Sequence, residues 1–243
     1  LSLHDALPIC LIYRSAVKLL PGWLRRRLLH FEAEIERATR QFAASLPAGA
    51  RVLDAGAGEL QYAHLFGRQR YVSVDLGVGD PQWDYGKLDC IADLAALPLR
   101  DGVFDACVNI VTLEHVREPV RVVRELARVL TDQGRLLLVA PLEWEVHQAP
   151  HDYYRYTEHG LRYLCEEAGL EVTAIKAVGG YFRLMARRML NGLQFFPGPF
   201  FVLAALLVAP VALVLPAFDG LDRRRDFTLG YICEARRRTG AGV

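Results

Sequence analysis

The segment Val52-Leu53-Asp54-Ala55-Gly56-Ala57-Gly58-Glu59-Leu60 sets two glycines one residue apart directly after a short apolar run. A chain leaving a strand in this way can turn sharply and let a ligand approach bare backbone. Asp75, 17 residues beyond Gly58, closes a second run of strand character, Tyr71-Val72-Ser73-Val74. A carboxylate at a strand end can accept two hydrogen bonds from a ribose diol. A dinucleotide fingerprint would want a third glycine where Gln61 stands, so a pyrophosphate is disfavoured, and with it a nicotinamide oxidoreductase. Asp54 and Asp75 could simply cap turns. Taken together with the glycines, they point instead to an adenosine-containing ligand that lacks a pyrophosphate.

Candidates for proton transfer lie further on. His115 follows Glu114 where a helix should begin, a place that suits either a base or a packed histidine. Residues 143–156 are the densest polar and aromatic stretch, with His147, His151, Asp152 and Tyr153 following a strand end that should face the ligand crevice. His147 and His151 are four apart, but Pro150 works against a regular helix carrying both, so no metal pair is expected. The five cysteines never form CxxC, which argues against a zinc site or a disulfide framework and for a reducing cytoplasm. Cys107, in mid-strand, reads as a small buried hydrophobe.

The elements that must position these residues alternate. Strands are expected at 51–54, 71–75, 104–111, 135–140 and 171–175, with helices between them. Before the fourth strand, Val123, Leu126, Ala127 and Leu130 form one helical stripe, Pro119 suits its first turn, and Gly134 should follow its end. An amphipathic helix over 23–45 carries Leu24, Leu28, Phe31, Ile35, Ala38 and Phe42 at helical spacing. Another helix should run from Thr157 to Ala168-Gly169. Alternation of this kind means a mostly parallel sheet with right-handed crossovers.

With these motifs in order, residues 51–170 resemble the class I S-adenosylmethionine-dependent methyltransferases of the small-molecule type. The resemblance implies an α/β fold, a Rossmann-like doubly wound, mostly parallel seven-stranded sheet, and S-adenosylmethionine as cofactor. It implies that Asp54, Gly56 and Gly58 surround the methionine part and that Asp75 holds the ribose. Asp93 would meet the adenine amino group with Leu94 beside it, and Asn109 would line the methionyl end. Residues 227–233 are similar to the family's final antiparallel strand. Two departures stand out: Leu60 replaces a frequent third glycine, and Thr131-Asp132-Gln133-Gly134 replaces the usual K-P-G-G.

Charge and hydropathy divide the 243 residues further. Residues 11–48 hold 7 basic and 3 acidic groups, 49–180 hold 13 and 20, and 181–243 hold 9 and 4. An acidic middle argues against a nucleic-acid groove, whereas basic flanks suit an anionic membrane surface. Residues 191–218 carry no charge, yet Pro197, Pro199, Pro210 and Pro216 should interrupt any membrane-spanning run. Arg183, Arg187 and Arg188 before it, with Arg223, Arg224 and Arg225 after it, place both flanks on the cytoplasmic side. A re-entrant or interfacial helical hairpin is therefore expected, with a buried core hairpin as the alternative.

Residues 1–9 resemble the translation of a sequencing-library adapter, so they are expected to add nothing to the fold and the true start is expected upstream. The expected organisation is a helical segment at 10–48, a cofactor-binding core at 49–180, an apolar insertion at 181–225, and a last strand with a basic tail at 226–243. The function expected is methyl transfer to a small, apolar or lipid-linked acceptor at the membrane surface, without nucleic acid. His147, His151 and His115 are the candidate bases should the acceptor be protic. A non-catalytic cofactor-binding membrane module is the alternative.

Overall fold

The computed structural model describes residues 21–79 and 83–239, so residues 1–9 lie outside it. Two compact units are present. One gathers the described part of 1–34, Glu143–His147 and Ala177–Gly230; the other gathers the described parts of 35–142, 148–176 and 231–243.

The larger unit is built on a seven-stranded sheet. Its strands are β1 (Arg51–Ala55), β2 (Arg70–Asp75), β3 (Cys90–Ile91), β4 (Phe104–Ile110), β5 (Leu130–Pro141), β6 (Leu170–Val178) and β7 (Gly230–Arg237). Their spatial order is β3-β2-β1-β4-β5-β7-β6. The pairs β1–β2, β1–β4, β2–β3 and β4–β5 are parallel. Val52, Leu53, Val74, Val108, Leu136, Leu137 and Leu138 are wholly buried, as strands covered on both faces require. Cys107 is buried among them, and burial pushes its thiol pKa up, so it stays a protonated, inert hydrophobe.

The last strand is antiparallel to β6. Thr173 Oγ1 donates to the Glu234 carbonyl, Arg236 pairs with Glu171, and Arg238 N donates to the Gly169 carbonyl, so one index falls as the other rises. Expected at 227–233, this strand instead starts at Gly230 and continues to Arg237.

Helix positions differ from expectation in two places. The single helix foreseen over 23–45 is two, α1 (Gly22–Leu28) and α2 (His30–Ser45), although neither Pro nor Gly stands at the break. α3 (Pro119–Val129) buries Val122, Val123, Leu126 and Ala127, with Pro119 in its first turn. Leu130 and Gly134, foreseen as helix stripe and helix exit, both lie in β5. The cause is capture of the helix end by the sheet: Gly102 N and Val103 N donate to the carbonyls of Arg128 and Val129, and Leu130 pairs with Phe104. α4 (Glu158–Glu167) starts under a Thr157 cap, whose side chain accepts from Gly160 N.

In the smaller unit, α5 (Tyr181–Gly192) is followed by α6 (Pro199–Val214), which continues as a 3-10 helix through Leu215–Leu221. The prolines foreseen as interruptions do not break it, and Pro199–Leu221 is 23 residues of continuous helical chain, enough by length and composition to cross a membrane. Pro210 costs the helix one donor inside α6, and Pro216 falls in the first turn of the 3-10 segment, where a missing N–H matters little.

The helical stretch ends where the insertion began. Asp219, buried, accepts from Gly180 N and Arg183 N at 3.1 Å each, and Asp222 accepts from Tyr181 N at 2.8 Å. These carboxylates satisfy the first free N–H groups of α5. A side chain at Gly180 would collide with them and with Arg225.

Candidate functional site

β1 lies between β2 and β4, where the strand order reverses. In a doubly wound sheet that point opens a crevice at the carboxyl ends of the strands. The turn after β1 sits there. Gly56 adopts φ +88° and Gly58 φ +49°, both in the left-handed region. A Cβ on Gly56 would lie 2.2 Å from the Thr112 methyl, and one on Gly58 would lie 3.1 Å from the Trp83 ring. The space that these glycines release is thus filled by Thr112 and Trp83, side chains that the sequence pattern did not single out. Leu60, the departure from a frequent glycine, is itself at φ +62°.

Asp75 closes β2 and is oriented by backbone. Its Oδ2 accepts from Gly58 N at 3.0 Å and its Oδ1 from Gly77 N at 2.8 Å. Each oxygen keeps a lone-pair site for a further donor, which fits a ribose diol. Leu76, Val78 and Ile91, exposed at 47%, 50% and 65%, lie close in the chain or sheet to this carboxylate; Ile91 is its strand partner. An exposed apolar rim around an oriented acid suits the flat face of a nucleoside.

Asp54 is buried, and Tyr71 Oη donates to its Oδ2. Burial raises its carboxyl pKa to about 7, against the lowering effect of the Tyr71 hydrogen bond and with a further rise from the nearby Asp75 charge. Asn109 is wholly buried, and its Nδ2 donates to the Ala55 carbonyl at 2.7 Å. It therefore fixes the strand end that leads into the glycine turn. Asp93 caps its own turn by accepting from Ala95 N at 2.8 Å, with Leu94 buried beside it.

The segment after β4 is shaped by Val111, a β-branched residue held at φ +52°. This turn carries Thr112 onto Gly56, where Thr112 Oγ1 donates to the Gly56 carbonyl at 3.2 Å. Glu114, another residue the pattern did not single out, follows in full burial, and neither of its carboxyl oxygens has a hydrogen-bond partner among the described residues. Burial raises its pKa to about 8, opposed by its own backbone and Arg155 and assisted by Asp152. At neutral pH it carries a proton.

His115 Nδ1 lies 2.6 Å from the His151 carbonyl. A carbonyl only accepts, so Nδ1 carries the hydrogen. Nε2 then faces Glu114 at 3.8 Å. The loop bearing His151 is tied down by Tyr153 N and Tyr154 N, which both donate to the Glu114 carbonyl, and by Arg155, which pairs with Asp152 through two oxygens. Tyr153 Oη accepts from Arg117 Nε at 3.0 Å and lies 3.2 Å from His151 Nδ1. His115 and His151 are thereby brought together. His147 belongs to the smaller unit, is buried, and has its Nδ1 3.0 Å from the Glu145 carbonyl.

The nearby residues fit an adenosyl cofactor: an oriented acid, an apolar rim and a glycine turn at a sheet crevice. Comparison with known proteins agrees. Residues 53–138 match a family described as "Methyltransferase domain". A protein of Mycobacterium tuberculosis described as "Probable S-adenosylmethionine-dependent methyltransferase" is 32% identical over 125 residues, which are 49% of this chain and 42% of that protein. The chain thus matches less than half the length of that relative. Among solved structures, the YcgJ protein of Bacillus subtilis aligns over 84% of this chain and 98% of its own, at 18% identity and a TM-score of 0.52. The [4+2]-cyclase SpnF aligns over 84% and 81%, at 21% identity and a TM-score of 0.53. At those identities the likeness is one of fold. The sheet order, the glycine turn and the match over 53–138 together show that this segment is similar to a methyltransferase domain on a class I methyltransferase-like fold.

Proposed function

We propose that this chain transfers a methyl group from S-adenosylmethionine to a small acceptor, and that the acceptor is apolar or lipid-linked and met at a membrane surface. The observation that carries the first part is the Gly58–Asp75 contact at 3.0 Å inside the matched segment, which orients a carboxylate for the ribose. The cofactor supplies an activated methyl on a sulfonium. The acceptor's lone pair forms the new bond to carbon as the carbon–sulfur bond breaks, leaving a neutral thioether. The protein's part is alignment and exclusion of water. Asp75 and the rim formed by Leu76, Val78 and Ile91 fix the adenosyl end, while Thr112 and Asn109 hold the turn. If the acceptor is a hydroxyl or phenol, a base must take its proton, and His115, His151 and His147 are the candidates.

The second part rests on the smaller unit. Phe195, Leu206 and Leu207 are 78%, 69% and 68% exposed, and Phe200, Leu203 and Leu221 are exposed with them. A surface this apolar suits contact with lipid. The meeting of Asp219 with Gly180 brings the two ends of the insertion together, which favours a hairpin lying in one leaflet on the cytoplasmic face. Incubation of the protein with isotopically labelled cofactor and lipid extract, followed by mass spectrometry, tests the whole reading. Label in a lipid-soluble product supports it. Cofactor binding without label in any product would leave the non-catalytic module.

A further inference from the structure

The loop after β2 does more than connect strands. Asp89 anchors its far end by accepting from Ser73 N and Ser73 Oγ at 2.8 Å each. Between these anchors, Trp83 and Tyr85 fold back toward the glycine turn, their ring centroids 6.1 Å apart. The Trp83 ring comes within 3.1 Å of where a Cβ would stand on either Gly58 or Gly79, and the Tyr85 ring within 3.8 Å of the same position on Gly77. Gly58 and Gly77 are the two residues whose N–H groups hold the Asp75 carboxylate. The indole therefore lies beside Gly58, one of the two residues that orient the acid, and the Tyr85 ring lies beside the other, Gly77. Trp83 is only partly buried, so ring surface remains for contact with a ligand.

We propose that Trp83 is a binding residue for the adenosyl part of the cofactor, stacking against it opposite the apolar rim of Leu76, Val78 and Ile91. The proposal rests on the functional reading above and adds to it a residue that the sequence motifs did not single out. An indole offers a large, flat, polarisable face at little entropic cost, and it favours a ligand that carries a positive sulfonium nearby. A side chain at 58 or 79 would press on this ring, and one at 79 would first meet the Tyr85 hydroxyl.

The test is a titration of the purified chain with S-adenosylhomocysteine, followed in parallel by calorimetry and by tryptophan emission. The expected result is a saturable emission change that tracks the calorimetric affinity in the unaltered protein. It should vanish in Trp83→Phe, which keeps an aromatic ring and most of the affinity. Trp83→Ala should weaken binding about tenfold, as loss of one aromatic stacking contact would. Binding of unchanged affinity in Trp83→Ala, or an emission change that persists in Trp83→Phe, would overturn the proposal while leaving the cofactor reading intact. No heat and no emission change with the unaltered protein, for either S-adenosylhomocysteine or S-adenosylmethionine, would overturn both.

Discussion

Asp75 and Glu114 are both carboxylic acids at the carboxyl edge of the sheet, yet their surroundings differ. Asp75 accepts two backbone N–H groups and keeps lone pairs for further donors. Replacing it by alanine should weaken S-adenosylmethionine binding by about 1.5–3 kcal/mol, the worth of a hydrogen bond to a charged group, as calorimetry would measure. Unchanged affinity would remove the ribose assignment. Glu114 is buried with a pKa raised from 4.5 to about 8. Between those values the unfolded chain has released this proton while the folded chain retains it, so this group makes stability fall as pH rises from about 4.5 to 8. Glu114→Gln keeps the shape and removes the titration. Its stability relative to the parent should therefore improve steadily across that window, a trend that denaturant midpoints at several pH values would reveal or refute.

Gln133 presents a simpler case at the same scale. It stands at φ +62° in the segment where the family usually has glycine. A left-handed conformation costs a non-glycine residue about 1–2 kcal/mol, and glycine's greater freedom in the unfolded chain returns part of that. Gln133→Gly should thus be neutral to stabilising by up to about 1 kcal/mol in thermal unfolding, against the usual penalty for glycine within a strand.

Among the elements, the apolar insertion is organised by its ends. Asp219 caps α5 from 39 residues further along the chain and also pairs with Arg183 and Arg225. Asp219→Ala should destabilise the smaller unit by about 2–3 kcal/mol, combining a lost cap with two stranded guanidiniums that solvent can partly reach. Urea unfolding followed by Trp144 emission would register it, because Trp144 lies in that unit under the Arg187 guanidinium at 4.5 Å. The loop carrying His151 is likewise held by backbone, through the Glu114 carbonyl. His151→Ala and His147→Ala should accordingly leave cofactor affinity nearly unchanged while at least one lowers turnover. Full turnover in both would return the histidines to a structural role.

For the molecule as a whole, the apolar surface outweighs charge in the proposed contact with lipid. Of the six arginines flanking the insertion, Arg183 and Arg225 pair with Asp219, Arg187 with Glu32, and Arg188 with Glu145. Arg223 and Arg224 are the exposed pair that remains for an anionic surface. Attraction to lipid headgroups is then a minor part of the proposed anchoring, and the apolar side chains carry it, at roughly 1.5–3 kcal/mol for each large one buried. Association with anionic vesicles should survive high salt with little loss, whereas Leu206→Glu combined with Leu207→Glu should release the protein without changing its cofactor affinity. Flotation assays at low and high salt would check both, and release by salt alone would contradict this account.

Local spacing was enough to place five strands, most of the helix stripes and the strand-end acids, because strand and helix periods and the glycine turn are properties of neighbouring residues. The register of Asp54, Gly56, Gly58 and Asp75 was legible for that reason, and the resemblance to methyltransferases rested on it. What lay beyond reach joins residues distant in the chain. Thr112 fills the space left by Gly56, Trp83 that by Gly58, and Asp219 closes on Gly180. Glu114 looked like an ordinary polar residue at a helix start until the fold buried it, and Leu130 looked helical until Phe104 paired with it. Pro210 and Pro216 signalled a broken helix because sequence shows the missing donor but not whether the neighbouring turns still close. Only tertiary packing decides which side chain occupies a vacated Cβ position and which carboxylate loses its water, since both depend on what the rest of the chain brings alongside.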